Sequence, residues 1–157
     1  MLTSHRSNFV FKLFLVCLLA CALTLTGESS VYARQGNSTS EITCLTQAIF
    51  YEARGESTEG KILVALVVRA RTEDAQSRWP KTICGVVWQR SGKGCQFSWA
   101  CGHRAAFRPT AEMQQIAQKV YSGALSMPKG FEHVRYFATS RQAYMHATRR
   151  VGGHVFG

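Results

Sequence analysis

The chain has 157 residues, a length that predicts one domain rather than several once an N-terminal leader is set aside. Lysine and arginine number 19 against 9 aspartate and glutamate residues, which gives a net charge of +10 at pH 7. Such an excess of positive charge favours an acidic polymer as the partner.

The N-terminus has the organisation of a secretory signal peptide. Arg6 and Lys12 supply the basic region, an apolar run extends from Phe9 to Leu25, and Val31-Tyr32-Ala33 is a small-x-small cleavage sequence. We therefore expect residues 1–33 to be a signal peptide and cleavage to follow Ala33. The protein is then exported, to the periplasm or the extracellular space.

Two alternatives to simple cleavage stay open. The uninterrupted apolar part, Leu13 to Leu25, is short for an uncleaved membrane span, so we expect none after processing. Leu18-Leu19-Ala20-Cys21 weakly resembles a lipobox, which would make Cys21 a lipid anchor. Export argues against nucleic acid as the acidic partner and favours anionic cell-wall glycan or a membrane surface. The positive charge could also serve solubility alone.

The cysteines predict two disulfides. Of six cysteines, two precede residue 33, and an even number remains in an oxidising compartment: Cys44, Cys84, Cys95 and Cys101. Three pairings are possible, and we prefer Cys44–Cys84 with Cys95–Cys101. Their spacing does not fit a zinc site, and we expect no metal or other cofactor.

The first predicted helix carries the principal candidate for catalysis. After a polar segment, residues 34–40, that we expect to be a loose tether, a helix is predicted over about 41–54. Its apolar residues recur every three or four positions, at Ile42, Leu45, Ala48 and Ile49. Glu52 falls on the same face, where desolvation raises the pKa of a carboxyl group, as a general acid near neutral pH requires. The alternative is that Glu52 only pairs with an arginine.

The remaining elements follow in order. A buried helix is predicted over about 58–71, a short element over 82–89, a turn over 91–94 and an extended segment over 95–99. A helix over about 111–122 has a buried stripe formed by Met113, Ile116, Ala117, Val120 and Tyr121. Short strands are predicted over 133–139 and 151–156, separated by a basic segment around 141–150.

Taken together, these segments resemble the cell wall hydrolase family typified by the spore-cortex-lytic enzyme SleB. The matching pieces are Tyr51-Glu52-Ala53-Arg54-Gly55-Glu56, Arg71, Pro80 to Val87, Cys95-Gln96-Phe97-Ser98, Tyr136-Phe137 and Gly152 to Phe156. Two positions depart from the family pattern: Ala70 stands where asparagine is usual before the arginine, and Gly157 where an aromatic residue is usual.

The resemblance implies an α+β, predominantly helical, lysozyme-like domain over residues 41–157 with a small β element. It also implies cleavage of the MurNAc–GlcNAc bond of peptidoglycan, with Glu52 as the acid. We expect six residues to line the substrate groove: Glu56, Gln96, Ser98, Tyr136, Thr139 and His154. Glu56 could instead pair with Arg54 or Lys61, and His154 could be structural. We expect a monomer.

The scarcity of carboxylates bears on the mechanism. Most glycosidases use two carboxyl groups, and no second acidic residue is an evident partner of Glu52. Lytic transglycosylases use a single glutamate, which fits this composition. The first alternative is a hydrolytic muramidase that uses Glu52, with Glu56 or Asp74 positioning water. The second is a non-catalytic basic protein that binds the cell wall.

Overall fold

The structure of the protein, a computed structural model, describes residues 28–92, 94–139, 147 and 149–157. Residues Thr39–Gly157 form one compact unit, which contains all the side chains discussed below. Most of the predicted leader and most of the 141–150 segment lie outside the described residues, so cleavage after Ala33 stays a prediction. Within the described ranges, no helix is both long and apolar enough to cross a membrane.

Helix α1, Glu28–Ala53, is the longest element and begins earlier than expected. Residues 34–40 are helical, so the prediction of a loose tether there is wrong. Nucleation fixes three residues for one hydrogen bond, whereas extension of an existing helix fixes only one, so a polar segment without proline can extend α1. The predicted apolar face is confirmed, because Leu45, Ala48 and Ile49 are completely buried.

Helix α2, Thr58–Thr72, is the predicted central helix, within one residue of its expected end. Ser57 caps it by accepting a hydrogen bond from the Gly60 N–H. Its apolar residues are buried on both sides: Ala65, Leu66 and Val68 belong to one hydrophobic cluster, and Leu63, Val64 and Val67 to another. Because it separates two clusters, α2 is apolar around most of its circumference.

Helix α3, Ile83–Val87, is attached to α1 by a disulfide and by a buried carboxylate. Cys44 is bonded to Cys84, which is the pairing we preferred. Close by, the Glu41 carboxylate is 8% exposed and accepts hydrogen bonds from the backbone N–H groups of Ile83, at 2.6 Å, and Cys84, at 3.4 Å. Glu41 thereby satisfies donors that are free at the start of every helix.

A small disulfide-closed loop follows. Strands β1, Arg90–Ser91, and β2, Gly94–Cys95, pair antiparallel, and helix α4, Ser98–Cys101, comes next. Cys95 is bonded to Cys101, the second preferred pair. The extended segment expected over 95–99 is wrong beyond Phe97. A disulfide between cysteines six residues apart requires the chain to turn back, and a helical turn does this.

Helix α5, Ala111–Tyr121, confirms the predicted helix and most of its stripe. Thr110 caps it by accepting a hydrogen bond from the Met113 N–H at 3.3 Å. Met113 and three other stripe residues are buried, whereas Tyr121, which we expected to be buried, is 36% exposed. The helix packs on α2, where the Lys61 ammonium group lies 2.8 Å from the Glu112 carboxylate.

A three-stranded antiparallel sheet completes the compact unit. It consists of β3, Phe137–Thr139, β4, Arg149–Val151, and β5, His154–Phe156, with β5 in the centre. The single strand expected over 151–156 is wrong, because Gly152 has φ +56° and the chain turns there into a hairpin. Glycine adopts this left-handed conformation without a steric penalty. The strand predicted over 133–139 is confirmed only from Phe137.

Candidate active site

Glu52 lies in the last turn of α1, where its carboxylate is half-buried. The indole Nε1–H of Trp99 in α4 donates a hydrogen bond of 2.6 Å to Glu52 Oε1. Trp99 is itself 9% exposed and stacks on Phe97 and Tyr51, at ring-centroid distances of 5.7 and 4.5 Å. The indole is therefore held from both faces, and it fixes one oxygen of the carboxylate.

Burial raises the pKa of Glu52 above its ordinary value of 4.5, as the sequence predicted. Desolvation is the largest influence, because removing water disfavours the charged carboxylate. The Trp99 hydrogen bond and then the charges of His154 and Arg71 act in the opposite direction and lower the pKa of Glu52. A carboxyl group in this environment can hold a proton at higher pH than an exposed glutamate, and the anion formed when it gives up that proton is stabilised.

Arg71, near the end of α2, is the principal buried cation of the site. It is 2% exposed, and its guanidinium carbon lies 5.6–5.9 Å from the ring centroids of four aromatic residues: Trp79, Phe97, Tyr136 and Phe137. Its Nε–H donates to the Arg135 carbonyl oxygen at 2.8 Å, and Nη1 is buried with no hydrogen-bond partner among the described residues. Burial lowers the pKa of Arg71 to about 10. The aromatic rings hold a positive charge near Glu52.

His154 and Glu56 form the second half of the site. The His154 imidazole is 5% exposed, and it packs against the rings of Phe137 and Phe156. Its Nδ1 lies 3.5 Å from Glu56 Oε1, and Glu56 Oε2 accepts a hydrogen bond of 3.0 Å from the Gly153 N–H. Lys61, one of the two partners considered for Glu56, instead pairs with Glu112.

The other predicted groove residues are at the surface. Gln96 and Ser98 are exposed on either side of the buried Phe97, and Tyr136 is 44% exposed beside Trp79. Thr139 is exposed and lies opposite His154 in the pairing of β3 with β5. Each of the four is therefore a sequence neighbour, a ring contact or a strand partner of a residue described above or of Trp79. In contrast, Glu56 and His154 are largely withdrawn from solvent.

Sequence reasoning missed two of the groups that influence the pKa of Glu52. From the sequence, Trp99 is either a sugar contact or a core residue; in the structure it donates a hydrogen bond to Glu52. Arg71 was noted only as a matching piece of a family pattern. An arginine near the end of an otherwise apolar helix was the available signal for a buried cation. Within the described residues, no three His, Cys, Asp or Glu side chains converge as metal ligands do.

Helices α1 to α5 and a small sheet define a lysozyme-like α+β domain, and its candidate site contains a half-buried glutamic acid with a raised pKa. The sequence pattern of the cell wall hydrolase family matches residues 55–157. The chain therefore belongs to the cell wall hydrolase family, as the residues predicted. The match begins at Gly55, so Glu52 lies just outside it and its role depends on the geometry above.

Among individual proteins, the spore cortex-lytic enzyme of Oceanobacillus iheyensis is 38% identical to this chain over 63 residues, 40% of this chain. The chain spans only 22% of the length of that relative.

Two solved structures share the fold. The catalytic domain of the Bacillus cereus SleB protein has a TM-score of 0.55 and 19% identity, over 74% of this chain and 88% of that one. The catalytic domain of the germination-specific lytic transglycosylase SleB from Bacillus anthracis has a TM-score of 0.55 and 21% identity, over 74% and 92% of the two chains. These similarities confirm the predicted fold class.

Proposed function

We propose that this protein is an exported lytic transglycosylase that cleaves the MurNAc–GlcNAc bond of peptidoglycan with Glu52 as its one catalytic acid. The observation that carries the proposal is the Glu52 carboxyl group, half-buried, with a raised pKa and a 2.6 Å hydrogen bond from Trp99. Membership of the cell wall hydrolase family supports the substrate class. The two disulfides support export, because disulfides persist in oxidising compartments.

The engagement of the other candidate carboxylates supports a single-acid mechanism. Glu56 has both oxygens directed at Gly153 and His154. Asp74 is 4% exposed, and its carboxylate accepts hydrogen bonds from the backbone N–H and the guanidinium group of Arg78. These hydrogen bonds lower the pKa of Asp74 to about 2. A base for hydrolytic water needs a carboxylate that is free to contact that water. The contacts of Glu56 and Asp74 leave neither carboxylate in that state.

The proposed reaction uses Glu52 twice. Its carboxyl group gives a proton to the glycosidic oxygen, and the bond from that oxygen to the anomeric carbon breaks with its electron pair moving to the oxygen. The acetamido oxygen of the MurNAc residue that carries this anomeric carbon assists there. The Glu52 carboxylate then takes the proton of the 6-hydroxyl group, whose oxygen bonds to the anomeric carbon and closes a 1,6-anhydro ring. Glu52 is again protonated, and no water is consumed.

The surroundings of Glu52 suit both steps. The desolvated pocket favours the protonated acid before the first step, and the Trp99 N–H with the charges of Arg71 and His154 stabilises the anion after it. We propose that Tyr136, with its ring 44% exposed, stacks on a pyranose face, and that Gln96, Ser98 and Thr139 donate and accept hydrogen bonds with sugar hydroxyl and acetamido groups. Basic side chains attract the carboxylates of the stem peptides.

Mass spectrometry of products separates this proposal from its rivals. The purified protein with both disulfides formed is incubated with peptidoglycan, beside Glu52→Gln and the control Glu112→Gln, which changes a surface carboxylate paired with Lys61. We expect anhydro-muropeptides from the native protein and the control, and none from Glu52→Gln. Reducing-end products would identify a hydrolytic muramidase, and binding without product release from any form would identify a non-catalytic wall-binding protein.

A further inference from the structure

Glu56 is fixed in the short turn between α1 and α2. Its backbone N–H donates a hydrogen bond of 3.0 Å to the Ala53 carbonyl oxygen at the end of α1. The next residue, Ser57, caps α2. The side chain then passes beside Gly60, where an added Cβ would lie 3.0 Å from Glu56 Cβ. Both ends of this turn belong to buried helices, so the carboxylate is presented from a rigid support.

The Glu56 carboxylate is occupied by groups of this chain rather than directed to solvent. Oε2 accepts a hydrogen bond of 3.0 Å from the Gly153 N–H, and Oε1 lies 3.5 Å from His154 Nδ1. The Glu56 side chain is 18% exposed and the His154 side chain 6%. This contact is longer than a good hydrogen bond, and it becomes an ion pair when the imidazole is protonated. A carboxylate used in this way is poorly placed to bind a sugar, so we no longer assign Glu56 to the substrate groove.

The β4–β5 turn is shaped around this carboxylate. Gly152 has φ +56°, and a methyl group there would overlap Glu56 Oε2. A Cβ at Gly153 would lie 2.9 Å from Glu56 Oε1, closer than real contacts of this kind. Two consecutive glycines therefore allow the backbone to approach the carboxylate closely. The backbone of the turn therefore fits closely against the Glu56 carboxylate, although 97 residues separate Gly153 from Glu56 in the chain.

His154 connects this pair to the candidate acid. It begins β5, the central strand of the sheet, and its charge lowers the pKa of Glu52. The imidazole thus interacts with two carboxylates, Glu56 through Nδ1 and Glu52 through its charge. A carboxylate beside one ring nitrogen orients the ring and favours the proton on that nitrogen.

We infer that Glu56 is a positioning residue, which holds the β4–β5 turn and the His154 imidazole in place beside Glu52. The inference rests on the proposed function, because it takes Glu52 to be the acid. Glu56 does not touch the substrate or move a proton in the reaction. It acts through His154, and a shift of the imidazole by even about 1 Å is enough to reduce the rate of a positioned reaction by about 100-fold.

The test compares Glu56→Ala, Glu56→Gln and Gly152→Ala with the control Glu59→Gln. Glu59 also connects α2 to the same hairpin, through a 3.1 Å contact with Arg149, but both side chains are 54% exposed. The measurements are the maximal rate of soluble product release, the half-saturating peptidoglycan concentration, the thermal midpoint and the NMR signals of the His154 imidazole nitrogens.

We expect Glu56→Ala to lower the maximal rate by about 10- to 100-fold, with the half-saturating concentration changed by less than about twofold. Glu56→Gln loses less, because its amide oxygen still accepts the Gly153 N–H. Gly152→Ala reduces the rate although Glu56 is present, and its cost shrinks in a Glu56→Ala background. The His154 signals shift in all three, whereas the surface control keeps the native rate and signals.

A folded Glu56→Ala variant with the native rate and unchanged His154 signals would overturn the inference. So would a rate loss that only follows the unfolded fraction at the assay temperature. Should Glu56→Ala not fold, Glu56→Gln and Gly152→Ala give the same comparison. Glu52→Gln tests the proposed function separately: if it is active, the acid assignment fails, while the His154 signals still report whether Glu56 holds the imidazole.

Discussion

Replacing Trp99 by phenylalanine tests how the acid is tuned. Phenylalanine keeps an aromatic ring between Phe97 and Tyr51 but removes the Nε1–H that donates 2.6 Å to Glu52 Oε1. A hydrogen bond to a charged group contributes about 1.5–3 kcal/mol, and in the proposed mechanism this one strengthens as Glu52 becomes an anion in the transition state. We therefore expect the maximal rate to fall by about 10- to 150-fold.

The same substitution changes the pH dependence in a defined direction. The Trp99 hydrogen bond is the largest influence that lowers the pKa of Glu52, so its removal raises that pKa further. A general acid works while protonated, so the alkaline limb of the pH–rate profile moves to higher pH even as its maximum falls.

The assay is product release from peptidoglycan between pH 4 and 9, on variants whose near-ultraviolet circular dichroism confirms folding. Trp88→Phe is the control, since Trp88 contacts Trp99 edge-on at 5.6 Å and, in the described part of the chain, makes no hydrogen bond to Glu52. A folded Trp99→Phe variant with the native rate and pH profile would refute the reasoning.

Four further predictions follow from the contacts already described. Replacing both Cys44 and Cys84 by alanine, which opens a loop with a sequence separation of 40, lowers the free energy of unfolding by about 4 kcal/mol in urea titrations. Glu41→Ala leaves two buried N–H groups at the start of α3 unpaired and costs about 1–3 kcal/mol in the same titration. Tyr136→Ala raises the half-saturating peptidoglycan concentration by about 2- to 13-fold, with a smaller change in maximal rate, if the ring is a sugar platform. The pKa of Glu52 is raised in the folded state, so its contribution to stability is fully present below its ordinary pKa of 4.5 and is lost as pH rises through the folded pKa. Glu52→Gln is therefore more stable than the native protein at pH 8 but not at pH 4, as measured by thermal midpoints.

The local pattern of the sequence was sufficient to predict many of the helices of this fold and their caps. The apolar run of α2 and its Ser57 cap, like the Thr110 cap of α5, are signals contained within a few residues. The position of Glu52 on the apolar face of α1 also follows from helical spacing, and with it the raised pKa. The Gly152-Gly153 pair was a readable hairpin signal, and interpreting that segment as one strand was the avoidable error.

The remaining features depend on contacts that no local pattern encodes. Trp99 and Glu52 are separated by 47 residues, and only the packing of α4 on α1 brings them together. The four aromatic rings around Arg71 come from three separate places in the chain. Burial of Glu56 and His154 likewise arises when the hairpin packs on the α1–α2 turn, which is why both were expected at the surface of the groove.

The wide separation of Glu56 from Gly153 along the chain also determines when the complete site can form during synthesis. A chain made from its N-terminus delivers α1, and with it Glu52, long before the hairpin of residues 149–157. Until that hairpin has joined the helices, the imidazole is missing and the Glu56 carboxylate has no turn to hold. On the proposed function, a nascent chain therefore carries Glu52 before the complete site exists, and cleavage of peptidoglycan is expected only after the whole segment has folded.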